Sequence, residues 1–300
     1  MKKLVYLMLV ALLVCSMTAF ADGSAVVDGL GREVSFESIP ETCVSLTPAN
    51  TEILCALGLS DRIVGVDNQS DVAADALQDK ERVGDYYAPN VESVVALNPD
   101  VVFASTTLQR ESIDKMEELG LTVVCNDPTS LSGVIPGIEL IAQVMGTDAA
   151  GVVQPIEAAI AEVSAAAAEH DGLKVYFALS FGEYGDYTAG PGTFIDDMIK
   201  LCGGTNVAGD MPVSWPQYSI EQLVANDPDL IIVSDYMGDG SIEQQLCATP
   251  GYQELRAVKE GRVYGVDANI TSRPGPRIGE ATQLIQTAMD EAQLRMDNAA

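Results

Sequence analysis

Two glutamates, Glu92 and Glu221, stand at matching places in a segment that the chain contains twice, 129 residues apart. Val91 to Ser105 (VESVVALNPDVVFAS) and Ile220 to Ser234 (IEQLVANDPDLIIVS) share six identities in fifteen positions and exchange one apolar residue for another at six more. At average residue frequencies chance gives about one identity. Each glutamate falls in the first turn of a helix, where its interaction with the helix dipole is worth roughly 0.3 to 1 kcal/mol. Other chemistry-bearing types are sparse. A metal site needs clustered histidine and acidic ligands, and the chain has one histidine, His170, so no metal ligands are assigned. No nucleophile elbow, phosphate loop or histidine-based triad occurs, and the carboxylate pair Asp196-Asp197 reads as a solvated helix face, so no catalytic residue is assigned either. Gly190-Pro191-Gly192-Thr193 lacks the third glycine and the acidic partner of a dinucleotide fingerprint. What remains for binding is a set of aromatic residues and two arginines, Arg273 and Arg277.

The elements around these residues follow from local physics. Ser219 is a good N-cap, Gln222 three residues on completes a capping box, and Ile220, Leu223 and Val224 share one helix face. Asn90, Val91, Val94 and Val95 repeat the design. Pro-Asp stops each helix, and the four apolar residues that follow (Val101 to Ala104, Leu230 to Val233) read as a buried parallel strand. Two lobes on one duplicated plan are expected. Val26 to Phe36, with Asp28-Gly29 between alternating segments, reads as an edge hairpin. Strands are expected at Cys43 to Leu46, Ile63 to Val66 and Leu121 to Val124, with a helix from Thr47 through Leu57 closed by Gly58. This alternation defines a parallel sheet covered on both faces.

Asp148 to Gly172 is alanine-rich, with an aspartate cap and a glycine end. As a helix of about 22 residues it would be about 33 Å long, with Pro155 kinking it or marking its first turn. A helical strut of this kind permits only a small change in lobe angle. Beyond it lie a strand at Lys174 to Leu179, a helix at Phe194 to Leu201, the second copy of the duplicated unit, a strand at Arg262 to Val266 and an acidic helix from about Arg277. The division is therefore 22–147 for an N-terminal α/β lobe, 148–172 for a connecting helix and 173–300 for a C-terminal α/β lobe.

Residues 1–21 carry two lysines, an apolar core from Leu4 to Val14 and the small-residue end Ala19-Phe20-Ala21, the pattern of a secretory signal. Leu12-Leu13-Val14-Cys15 also resembles a lipobox, which would make Cys15 a lipidated N-terminus. Export is expected either way, to the periplasm or the outer face of the cytoplasmic membrane. Without those residues the chain has 14 basic against 44 acidic side chains, a formal charge of −30. Such a charge argues against nucleic acid as a partner and keeps copies of the chain apart; a monomer is expected. Export permits a disulfide, but the five remaining cysteines contain no C-x-x-C pair and their spacing prescribes none.

Several motifs together carry a resemblance. They are Ser45-Leu46-Thr47-Pro48-Ala49-Asn50-Thr51-Glu52, Val91-Glu92, Cys202-Gly203-Gly204-Thr205-Asn206, Val213 to Glu221 (VSWPQYSIE) and Arg273-Pro274-Gly275-Pro276-Arg277-Ile278. Through them the chain resembles the helical-strut substrate-binding proteins of ABC importers, in the branch that carries ferric siderophores, haem and cobalamin, and it is most similar to the cobalamin-binding members. The resemblance implies two Rossmann-like lobes with central parallel sheets joined by a single long helix, the class III periplasmic-binding-protein fold. It implies a binding protein with no cofactor of its own, delivering a macrocyclic ligand to a membrane permease and its ATPase. It also implies that Glu92 and Glu221 dock on permease arginines, one per lobe. The coarse element reading puts Pro48, Tyr86, Phe181, Trp215, Tyr236 and Arg273 between the lobes, at the carboxyl ends of strands. Tyr86, Phe181 and Trp215 match aromatic positions of the cobalamin-binding members, whereas Gln69 and Ser105 replace aromatics there. Large flat rings suit an amphipathic macrocycle. A ferric siderophore or haem is the alternative ligand, and an anionic chelate would call on Arg273 and Arg277.

Overall fold

The computed structural model describes residues 24–71, 74–105, 108–167 and 172–299; the signal segment, Cys15 and His170 lie outside the described residues. An antiparallel hairpin of β1 (Ser24–Val27) and β2 (Glu33–Phe36) leads to β3 (Cys43–Ser45) and α1 (Pro48–Ala56). Next come β4 (Ile63–Val66), α2 (Ala74–Leu77), β5 (Glu81–Arg82) and a short hairpin of β6 (Gly84–Asp85) and β7 (Ala88–Pro89). The first half closes with α3 (Val91–Leu97), β8 (Val101–Ala104), α4 (Arg110–Glu118), β9 (Val123–Cys125) and α5 (Leu131–Val144). A connecting helix, α6 (Ala150–Ala166), leads to β10 (Lys174–Ala178), α7 (Phe194–Leu201), β11 (Thr205–Asn206), α8 (Ile220–Asn226) and β12 (Leu230–Asp235). The chain ends with α9 (Ser241–Ala248), α10 (Arg256–Lys259), β13 (Val263–Asp267), α11 (Ala268–Thr271) and α12 (Ile278–Ala299).

Two parallel sheets organise the molecule. One has the order β5-β4-β3-β8-β9 and the other β11-β10-β12-β13. Every residue of β8 and β12 is buried, as expected of central strands covered on both faces.

The duplication extends into the backbone. Helices α3 and α8 are capped by Asn90 and Ser219, the latter in a complete capping box with Gln222. They end at Asn98 (φ 45°) and Asp227 (φ 43°), the two non-glycine residues with positive φ among those described. Asn and Asp tolerate this left-handed conformation better than other side chains. Two residues on, Asp100 accepts from the backbone N–H of Glu41 and Thr42 at 2.9 and 2.8 Å, and Asp229 accepts from Lys174 N–H at 3.0 Å. In each half the Pro-Asp pair therefore does two things: it terminates a helix and pins the start of the neighbouring strand.

Within the described residues the connecting helix covers Ala150–Ala166. Its 17 residues span about 25 Å. Asp148 accepts from Ala150 N–H at 3.1 Å, and Pro155 sits in the second turn rather than the first. The helix lies against α12, where Gly279 makes the approach possible: a Cβ there would stand 2.9 Å from Ala159 Cβ and 3.5 Å from Ile156 Cα. One continuous cluster of buried residues runs from Ile53 and Phe103 through Ile156 and Val163 to Phe177, Ile232 and Ile285. Both sheets therefore share an apolar core with the helix between them.

Two sequence expectations need correction. The Asp196-Asp197 pair is not a solvated face. Asp196 is fully buried, accepting from Lys200 Nζ at 2.7 Å and Asn206 Nδ2 at 2.9 Å. Asp197 accepts from Leu131 N–H at 2.9 Å and so ties the first turn of α5 to α7. The strand expected at Leu121 to Val124 lies at Val123–Cys125, because Leu121 N–H still bonds back to Met116 in the turn that ends α4.

The five described cysteines are unbridged. Burial pushes the thiols of Cys43, Cys125 and Cys202 up to about 12, so at pH 8 they remain protonated and poorly nucleophilic. In native protein at pH 8, a thiol reagent is expected to spare these three and to label the half-buried Cys55 first, with Cys247 slower because burial and the Glu243 charge push its thiol up. Mass-spectrometric mapping checks this, and rapid native labelling of Cys43 would contradict it.

Candidate ligand-binding cleft

Carboxyl ends of strands in both sheets open onto one cavity of about 450 Å³. The first half contributes Thr47, Pro48 and Ala49 after β3, Gln69 and Asp71 after β4, Tyr86 and Tyr87 from the β6–β7 hairpin, and Asn126, Asp127 and Pro128 after β9. The second half contributes Tyr236 after β12 and Ala268, Asn269, Ser272, Arg273 and Pro274 after β13. Pro48, Tyr86, Tyr236 and Arg273 are thus brought to one place. Phe181 and Trp215 are not part of this lining. Phe181 packs edge-on to Tyr252 with ring centroids 6.1 Å apart, and Trp215 packs on Phe194 at 6.1 Å. Trp215 is 44% exposed, on a loop held by the Thr188 N–H to Pro216 carbonyl and Gly190 N–H to Ser214 carbonyl bonds.

Buried amides shape the N-terminal wall. Gln109 Nε2 donates to the carbonyls of Leu46 at 2.8 Å and Tyr86 at 2.7 Å, while its Oε1 accepts from Ser105 N–H at 2.9 Å. Asn50 and Asn126 exchange hydrogen bonds between α1 and the loop after β9. Gln69 Oε1 accepts from Tyr86 N–H at 3.0 Å and so fixes the hairpin that carries Tyr86. Ser105 donates its hydroxyl to Asp127. Burial, with the Asp127 charge adding to it, pushes the Tyr86 phenol up to about 12; it is a neutral hydroxyl at any physiological pH. Tyr87 stands edge-on to Tyr86 at 5.1 Å and is 70% exposed at the rim, as is Tyr236 at 63%.

Sequence reasoning misses Glu52. It lies in α1 with its side chain 1% exposed, and it receives both arginines of the R-P-G-P-R motif. Arg273 Nη1 donates to Glu52 Oε1 at 2.9 Å; Arg277 binds both carboxylate oxygens, at 2.6 and 3.1 Å. Arg273 also pairs with Asp71 at 2.9 Å and donates to Asn269 Oδ1 at 2.6 Å. Burial works against the charge of Arg273, but Glu52 and Asp71 outweigh it and hold the guanidinium above its ordinary value. A signal for Glu52 does exist: an acid followed by Ile53, Leu54 and Cys55 in a buried helix must be paired, although nothing in the sequence says with which of the nine arginines.

Glu92 and Glu221 lie exposed in the first turns of α3 and α8, one in each half. Among the described residues no group of three or more His, Cys, Asp or Glu side chains is placed to hold a metal ion. No described helix is long and apolar enough to cross a membrane.

Residues 43–270 match the periplasmic binding protein family, and the chain belongs to it. It is 33% identical over 264 residues to an uncharacterised ABC transporter substrate-binding lipoprotein, YvrC of Bacillus subtilis, covering 85% of this chain and 82% of the relative. It is 31% identical over 263 residues to a cobalamin-binding protein of Halobacterium salinarum, covering 84% and 70%. Among solved structures, the periplasmic vitamin B12 binding protein BtuF of Vibrio cholerae superposes with a TM-score of 0.73 at 28% identity, covering 85% and 98%. A periplasmic haem-binding protein, RhuT of Roseiflexus sp. RS-1, superposes with a TM-score of 0.75 at 26% identity, covering 84% and 98%. The chain is a substrate-binding component of an ABC importer, with the class III fold, and its partner is a permease. These relatives are solute-binding transport components, and the chain is not an enzyme.

Proposed function

We propose that the protein captures a corrinoid of the cobalamin type between its lobes and presents it to an importer permease and its ATPase. In this reading the protein acts as an exported monomer, either released after the signal segment or anchored through Cys15. Pro48, Tyr86, Tyr236 and Arg273 contact the ligand in the cleft, Phe181 and Trp215 extend the surface on the C-terminal lobe, and Glu92 and Glu221 face the permease.

The observation that carries this reading is the charge and texture of the cleft. Its lining carries Asp71 and Asp127 against the single guanidinium of Arg273, and Glu52 and Asp71 already neutralise that group. Around them stand three tyrosines, three prolines and the amides of Gln69, Asn126 and Asn269. Tyrosine rings bury apolar area at low entropy cost and keep a polar handle; side-chain amides pair with the carboxamides that ring a corrinoid. An anionic ferric siderophore or the propionates of haem would instead require free cations.

Calorimetric titration with cyanocobalamin, with haemin and a ferric hydroxamate alongside, tests the proposal. One-to-one cobalamin binding at about micromolar or tighter is expected, near −8 kcal/mol, with Tyr86→Ala and Trp215→Ala weakening it about tenfold each. Binding of an iron chelate with no response to cobalamin would transfer the protein to the alternative ligand class.

A further inference from the structure

Arg273, which lines the cleft, and Arg277, which does not, are both committed to acids. Glu52 accepts from both, and Asp71 accepts from Arg273. Two guanidiniums facing two carboxylates leave this cluster without net charge. Its core is not free to reorganise, because the Glu52 side chain is 1% exposed and cannot swing into water. Arg277 grips it through two parallel hydrogen bonds, the strong arrangement for a carboxylate. An incoming anion must either break that pairing or enter unpaired beside Asp127, in a chain of formal charge −28, with its own desolvation uncompensated.

We propose that Glu52, seconded by Asp71, is the selectivity determinant of the cleft: it neutralises the two arginines so that an uncharged macrocycle is admitted and a polyanionic chelate is turned away. The role deepens the corrinoid reading and rests on it for the identity of the favoured ligand. The effect on anions follows from the charge arrangement alone. A purely mechanical role for the cluster, holding the lobes together, predicts changes that do not depend on the sign of the ligand's charge.

The test titrates wild type, Glu52→Gln and Asp71→Asn with two probes, cyanocobalamin and the trianionic ferric tris-catecholate complex. Glu52→Gln keeps the size of the side chain and one acceptor oxygen. Asp71 has a side chain 64% exposed, so its variant folds whatever the clamp contributes to stability. Both variants are expected to bind the tris-catecholate complex at least about tenfold more tightly than wild type, about 1.4 kcal/mol. Cyanocobalamin shows no such gain. The increase shrinks as salt is raised, since it comes from an unmasked charge. Tight tris-catecholate binding by wild type, or no anion gain in either variant, overturns the proposal. If wild type fails to bind cyanocobalamin the corrinoid reading falls, while the comparison among the three proteins with the anionic probe still decides the role of Glu52.

Discussion

Reversing both acids, Glu92→Arg with Glu221→Arg, is expected to abolish ligand-dependent transport in vesicles carrying the permease and ATPase while leaving ligand affinity within about twofold. Both residues are exposed in first turns already capped by Asn90 and Ser219. Exchanging a favourable for an unfavourable dipole interaction therefore costs roughly 0.6 to 2 kcal/mol per site, still within the stability of an ordinary domain. Neither residue lines the cleft, which is why affinity should hold. Charges on an interface rim act chiefly on encounter rate and its salt dependence. Each single reversal should consequently slow transport at low salt, and the double should remove it. Transport at the wild-type rate by the double variant would remove the docking role from these residues.

The pairing of Glu92 with Glu221 is legible in the amino-acid sequence, because a duplicated helix–turn–strand unit repeats its caps, its apolar face and its stop. The structure adds what such a pattern cannot encode. Asn98 and Asp227 take the same left-handed backbone, and Asp100 and Asp229 reach sideways to pin a strand some 55 to 60 residues earlier in sequence. Period and capping report on neighbours along the chain; a carboxylate's partner across a sheet leaves no local trace. The same limit explains Asp196. Two adjacent acids in the first turn of a helix look solvated; Lys200, one turn on in the same helix, is a visible partner, but Asn206, which completes the burial of Asp196, comes from β11. Helix α5 is harder to read for a different reason: Ser132, Glu139 and Gln143 share its exposed face, but Pro136 stands inside the run and breaks the helical signal.

The cleft is legible where it depends on topology. Residues just beyond the carboxyl ends of parallel strands converge whatever their type, and Pro48, Tyr86, Tyr236 and Arg273 all stand there. Phe181 and Trp215 also follow strands, but their side chains lean on Tyr252 and Phe194 within their own lobe; which way a loop aromatic leans is set by packing that no spacing rule encodes. Arg273 resembles a ligand's counter-charge in the sequence because its partners, Glu52 and Asp71, lie more than 200 residues away.

Glu52→Ala should be the most destabilising single change in the cleft, by about 3 kcal/mol. Removing one member of a buried ion cluster strands the others, and such losses typically run to about 3–5 kcal/mol; here Arg273 is 14% and Arg277 30% exposed at the side chain, so part of the cost is recovered by hydration. Glu52→Gln, which keeps an acceptor, should lose distinctly less. Urea unfolding at neutral pH measures both. The clamp joins α1 of the first half to the segment between α11 and α12 of the second, on the cleft side, while α6 and the shared apolar core join the halves behind it. Small-angle scattering is therefore expected to show almost no change in radius of gyration when wild type takes up ligand. In Glu52→Ala the core and α6 should still limit opening to a few degrees. Equal stability of wild type and Glu52→Ala would mean that the two arginines find water or other acids as readily as Glu52, and that the cluster does not brace the two halves.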